Sequence, residues 1–415
     1  MTLDLDFVRS QYPAFQNPAT AQWAFFENAG GSYVPHQVID RLNHFFKFTK
    51  VQPYGLFDSS VAAGEAMEAA YNCIAELLNT DPDQLTLGPS TSMNFYVLAQ
   101  AIRPGLKAGD EIIVTNQDHE ANIGCWRRLG EFGIIIREWR IDAQSGELRL
   151  EDLKELISNR TRLVCFSLCS NIVGTMNDVP AINEIAHNAG ALAVADGVSF
   201  APHRLVDIND LDVDLFLFST YKTFGTHIGI MWGRKEVLAQ LESQGHYFNS
   251  ARPHYRLNPA GPLHAEIAAL AGLGEYYDAL YEKHFDDPQL NRHERGVKVF
   301  NLFNAHETGL ANQLLDALRK FPGVRIIGQK HADADRRAAT ITFFAAHKKP
   351  SEIVKRLSEN FIAVRNGHFY ARRCIEALGI EDAEEGVIRV SMVHYNTQEE
   401  VSRLVDGLQE LLSVF

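Results

Sequence analysis

Short apolar runs, each followed by a polar turn and a helix-like stretch, constrain this chain more than any other feature. Residues 111–115 (EIIVT), 133–137 (GIIIR), 162–168 (RLVCFSL), 191–195 (ALAVA) and 213–219 (VDLFLFS) are brief and almost continuously apolar. Strands read that way when both faces of a sheet are covered, as in a parallel sheet between layers of helices. Between them, residues 151–158 (EDLKELIS) and 179–189 carry apolar side chains at helical spacing. The alternation predicts an α/β domain. Ligands of such sheets bind beyond the carboxyl ends of the strands. The residues that follow each run are therefore the ones to inspect for chemistry.

The pattern changes after residue 285. Residues 293–304 read as a helix, 324–327 and 339–344 as short strands, and 351–359 as another helix. An amphipathic helix (EEVSRLVDGLQELL) ends the chain. This predicts a large domain over 22–285, with 1–21 and 286–415 forming a smaller α+β domain.

Charge narrows the partners. The chain has 52 acidic against 39 Lys and Arg residues, a formal net charge of −13. Nucleic acid and anionic membrane both need a basic face, so neither is expected. An anionic small ligand is still permitted, because one pocket can be positive on an acidic protein. No run approaches the roughly 18 apolar residues of a membrane span. The first residues, MTLDLDFVRSQYPAF, lack the basic and apolar regions of a signal peptide, and a cytoplasmic location is expected. The five cysteines, Cys73, Cys125, Cys165, Cys169 and Cys374, are scattered and odd in number, unlike a disulfide framework. No metal site is expected.

The strand-following residues are chemically suggestive together and weak singly. Asp196 follows ALAVA, where a carboxylate is costly unless paired; its bland reading is a turn cap. Lys222 follows VDLFLFS, where an ordinary lysine marks a solvated strand end, and Ser219 precedes it. His119 follows EIIVT and could stack on a planar ring, though loop histidines are commonly just exposed. Asn171 follows RLVCFSLC and could hydrogen-bond a ring hydroxyl or a carboxylate. Ser90 and Thr91 open a helix-like run, which suits either a phosphate or an ordinary N-cap. A lysine, a carboxylate, a flat ring and phosphate donors are the set that holds pyridoxal 5'-phosphate (PLP).

Longer stretches then match in order: FENAG at 26–30, DHEAN at 118–122, SNIVGT at 170–175, ADG at 195–197, STYK at 219–222, IAVRNGH at 362–368 and RVSMVHYNT at 389–397. On these the chain resembles the class V aminotransferases, fold type I PLP enzymes, and within them the cysteine desulfurases and selenocysteine lyases. The resemblance implies a large domain with a mainly parallel seven-stranded sheet and a smaller C-terminal α+β domain. It implies that Lys222 carries PLP as a Schiff base and acts in catalysis with His119, which stacks on the ring. Asp196 then pairs with the ring nitrogen, Asn171 lies beside the ring, and Ser90, Thr91 and Ser219 hold the phosphate. Ser199 and Tyr221 occupy cofactor-binding positions. Arg389 binds the substrate α-carboxylate, and Asn28, Arg365 and His368 complete the substrate site. A homodimer with shared active sites is implied as well.

The chain departs from that family at four positions. Tyr370 stands where desulfurases carry the persulfide-forming cysteine, and a phenol cannot replace a thiolate in sulfur transfer. Cys374 lies nearby, in a helix-like run. Ser199 replaces the usual glutamine, Tyr221 the histidine before the lysine, and Gly261 the threonine that reaches the neighbouring subunit's phosphate. The expected activity is C–S β-elimination from a cysteine-like amino acid. Alternatives are a class V aminotransferase or epimerase, a cysteine desulfurase using Cys374, and a catalytically silent PLP-fold scaffold.

Overall fold

The computed structural model describes residues 2–412. In chain order the strands are β1 (Ala24–Phe25), β2 (Leu85–Gly88), β3 (Glu111–Thr115), β4 (Ile135–Trp139), β5 (Thr161–Ser167), β6 (Leu192–Asp196), β7 (Leu215–Ser219) and β8 (Gly229–Gly233). They continue with β9 (Val324–Ile327), β10 (Thr340–Ala345), β11 (Ile362–Ala363), β12 (Arg365–Gly367) and β13 (Val387–Ser391). Seven form one sheet in the order β2-β8-β7-β6-β5-β3-β4. Only β8 runs against its neighbours in this sheet. The apolar runs become β3 to β7, and every residue of β3 and β7 is buried. Double-sided burial is what their continuous apolar character demands. The run at 133–137 starts later, at Ile135, because Gly133 adopts φ 81° and closes the preceding turn.

A four-stranded antiparallel sheet, β12-β13-β10-β9, forms the smaller unit. Helices Arg292–Leu318, Pro350–Glu359 and Gln398–Leu412 cover it, joined by the β1–β11 pair. The helix expected at 293–304 is much longer. Asn291 and Glu294 cap its start reciprocally, and buried Leu310, Leu314 and Leu318 carry it onward.

The apolar clusters cut across the expected domain division. Val8 and Tyr12 pack with Phe216 and Tyr276 under the large sheet, so residues 1–21 do not join the small unit's core. Ala24 and Phe26 belong to that core instead. The helix Arg292–Leu318 serves both: Val299, Phe300 and Phe303 face the large core, Leu310 to Leu318 the small one. A change of local pattern along the chain does not reveal a helix shared by two cores. Among the described residues, no helix is long and apolar enough to cross a membrane.

Candidate active site

The carboxyl ends of β6 and β7 bring an acid and an amine together. Asp196 ends β6, and its Oδ1 accepts the Val198 amide at 2.8 Å. Burial raises its pKa to about 6, opposed by that amide and by the charge of Lys222. Lys222 ends a short 3₁₀ turn directly after β7. It is buried, not a solvated strand end. Burial and the charge of Arg389 lower its pKa to about 8. Such an amine is available as a nucleophile near neutral pH.

His119 follows β3 and is half-buried. Its Nδ1 accepts the Ala121 amide at 3.1 Å, which leaves Nε2 to carry the proton of the neutral ring. Burial, Lys222 and Arg389 push its pKa down to about 3, so the ring is uncharged. Asp118, one residue earlier, is buried and accepts from Asn122 Nδ2 at 3.0 Å. Burial raises its pKa to about 7. Asn171 donates from Nδ2 to the Phe369 carbonyl at 3.0 Å, while its Oδ1 is buried without a partner.

Thr91, Ser92 and Ser219 line the same cavity. Thr91 opens the helix Thr91–Ile102, whose first amides have no intrahelical acceptor. Thr91 Oγ1 donates to the Phe218 carbonyl at 2.6 Å and lies 2.7 Å from Ser219 Oγ. Ser90 is the N-cap, its Oγ accepting the Met93 amide at 3.1 Å. Of the expected Ser90 and Thr91, Thr91 lines the cavity, together with Ser92. Gly229 lets this helix start approach β8: a Cβ there would stand 2.3 Å from the Ser90 carbonyl carbon and 2.4 Å from the Thr91 nitrogen. Ser199 and Tyr221 also line the cavity. Tyr221 stacks on His227 with ring centroids 4.4 Å apart.

A second cavity adjoins the first, sharing His119, Asn171, Tyr221 and Lys222. Arg389 lies on β13 opposite Arg365 of β12, and both line it with His368. Arg389 is buried under the Phe369 ring, its guanidinium carbon 3.8 Å from the centroid. It donates to Glu27 Oε1 at 3.0 Å and to the Asn171 carbonyl at 3.4 Å. Sequence reasoning gave no role to Glu27 or Phe369: Glu27 lies inside the matched stretch FENAG, and Phe369 directly follows IAVRNGH.

Asn28 does not face the substrate cavity as expected. Its Nδ2 donates to the Ser391 carbonyl at 2.8 Å and to Asn396 Oδ1 at 3.2 Å, and its Oδ1 accepts the Tyr395 hydroxyl. Those bonds commit the side chain to holding β13 and its following loop.

The loop after β12 carries Tyr370, exposed and in the left-handed conformation with Phe369 before it. Its ring lies 5.3 Å from His119. Cys374 sits in the helix Arg372–Ala377, fully buried, its thiol pushed up to about 12 by burial. All five cysteines are buried.

These residues fit PLP on their own chemistry. A buried amine, a buried carboxylate and a neutral imidazole meet at one cavity, with hydroxyls and helix-start amides at its far end. Fold and site together fit a PLP-dependent enzyme. The Aminotransferase class-V family model matches residues 24–404, and the chain belongs to that family. It is 33% identical to the aminotransferase-like protein FGM3 of Gibberella zeae over 99% of both chains. It is 30% identical to the cysteine desulfurase-like protein ustD of Aspergillus flavus, over 99% of this chain and 91% of that one. The solved cysteine desulfurase CsdA of Escherichia coli superposes with a TM-score of 0.84 at 25% identity, covering both chains fully. The chain is a PLP-dependent enzyme acting on amino acids.

Proposed function

We propose that this enzyme is a C–S β-lyase that releases a thiolate from a cysteine-like amino acid without forming a protein persulfide. The observation that carries the reading is the loop beside His119, which presents the phenol of Tyr370 while every cysteine is buried. A thiol held near 12 inside a helix, as Cys374 is, cannot serve as the sulfur acceptor.

PLP, when bound, supplies an electron sink for charge developing at the substrate α-carbon. Lys222 would anchor it and, once freed by the substrate amine, take the α-proton on Nζ; an amine held near 8 can accept and return a proton at neutral pH. Asp196 would keep the ring nitrogen protonated. His119 would cover the ring face, and its low pKa keeps a positive charge away from it. Thr91, Ser92 and Ser219 would hold the phosphate, and Arg389 the α-carboxylate. Tyr370 offers an O–H to a departing thiolate and no sulfur nucleophile. The same reading includes a homodimer with shared active sites, supported by exposed Phe48, Leu56, Phe57, Tyr247 and Phe248.

Product analysis tests the chemistry. The holoenzyme given cysteine, cystine and a panel of amino acids is expected to yield pyruvate and ammonia, with a sulfur product. Lys222→Ala is expected to abolish turnover and the visible cofactor band. Alanine without pyruvate would instead establish desulfuration, and a keto acid retaining the substrate's side chain would establish transamination.

A further inference from the structure

Arg389 already has a carboxylate. Glu27 Oε1 accepts from its guanidinium at 3.0 Å, inside the cavity that both residues line. The fit is built in: Gly30 leaves the space that carboxylate fills, since a Cβ there would stand 2.4 Å from Oε1. Yet the pairing is incomplete. Glu27 Oε2 and Arg389 Nε are both buried without a hydrogen-bond partner. Two charged groups that each leave a polar atom unmatched in the interior form a pair with little net gain, because desolvation offsets their attraction.

A second cation stands beside the same oxygen. Arg365 NH1 is 3.6 Å from Glu27 Oε1, and its side chain is 67% exposed, free to follow that oxygen. Arg365 and Arg389 face each other across the β12–β13 ladder, so their side chains leave the same face of the sheet. Glu27 thus sits between a buried, rigid guanidinium held against Phe369 and an exposed one.

We infer that Glu27 is an internal occupant of the carboxylate site, and that a substrate carboxylate binds Arg389 by moving Glu27 onto Arg365. The inference rests on reading Arg389 as the α-carboxylate site. It gives Arg365 the role of a positioning residue that receives Glu27, in place of the direct substrate contact its sequence position implied. It also makes Glu27 a specificity determinant. A ligand without a carboxylate has nothing to exchange for the Glu27 pair.

Calorimetric titration of the holoenzyme tests this with 3-(methylthio)propionate, a carboxylate that carries no amine, and with propylamine, an amine that carries no carboxylate. Glu27→Gln, close in shape, is expected to tighten the carboxylate by roughly three- to tenfold. Arg365→Ala is expected to weaken it by a similar factor, and the double variant to bind as tightly as Glu27→Gln alone. Propylamine affinity is expected to stay constant throughout. An Arg365→Ala loss that persists in the double variant would mean that Arg365 touches the ligand directly, and would overturn the exchange. Unchanged or weaker binding in Glu27→Gln would overturn it too, leaving Glu27 as a brace for Arg389. Arg389→Lys separates the underlying reading: intact carboxylate affinity there would remove Arg389 from the substrate site, and the proposal with it.

Discussion

Asp196 is a carboxylate whose charge is unfavourable until a cation pairs with it. Its pKa of about 6 in the folded chain lies above the ordinary value of 3.8. The raised value sets the sign: the stabilisation is complete below about pH 4 and is lost as pH rises through about 6. Through linkage the cofactor-free protein loses about 2–3 kcal/mol over that window. Asp118, raised to about 7 by burial, extends the decline in the same direction. Asp196→Asn keeps an oxygen for the Val198 amide and removes the charge. It is expected to raise the Tm of the cofactor-free protein at pH 8, leave it nearly unchanged at pH 4, and weaken PLP retention at pH 8. Thermal melts with and without PLP check this; a cofactor-free variant no more stable than wild type at pH 8 would contradict the buried-charge account. Asp196, Lys222, His119 and Asn171 could be picked out as candidates because each lies within four residues of the end of an apolar run, and a strand end fixes where such residues lie. The partners of Asn28 could not, because they are decided by where β13 comes to rest, and no local pattern states that. Ser90 reads in the sequence as either a phosphate donor or an N-cap, and its Oγ accepts the Met93 amide as a cap.

The helix Thr91–Ile102 and β8 meet at a contact with no room for a side chain. At Gly229 a Cβ would collide with the backbone of Ser90 and Thr91, and backbone cannot rotate away as a side chain can. Gly229→Ala is expected to push the helix start outward, break the 2.7 Å contact between Thr91 and Ser219, and cost about 1–3 kcal/mol. It should also speed PLP loss on dialysis. Gly130→Ala, where nothing lies within 4 Å of the added carbon, serves as the control. Equal PLP retention in both variants would show that the helix start does not hold the phosphate. Elements were legible where their burial is uniform, as in β3 and β7. They were misjudged where an end is set by a turn, as at Gly133, or where a polar stretch interrupts a helix, as after Asn304 in Arg292–Leu318.

Across the whole molecule, two cores share one helix, and β1 crosses from the N-terminal segment to pair with β11. Such a chain buries its own apolar surface well, which makes the remaining exposure informative. Leu56 is fully exposed, and Phe48, Phe57, Tyr247 and Phe248 are each more than half exposed. Large apolar side chains scattered singly need no explanation, whereas several brought to the surface by two chain segments suit a partner. The proposed homodimer would cover them, and a second copy is the partner that requires no other protein. Sedimentation equilibrium of the holoenzyme is expected to give twice the mass of one chain. Leu56→Asp combined with Phe248→Asp is expected to shift it toward a single chain with little change in Tm, since neither side chain belongs to a core. If the active sites are shared, the dissociated variant also retains less PLP and turns over more slowly. A variant that dissociates yet keeps full turnover would leave the dimer intact as a proposal and remove the shared sites, whereas a wild-type protein of single-chain mass would remove both.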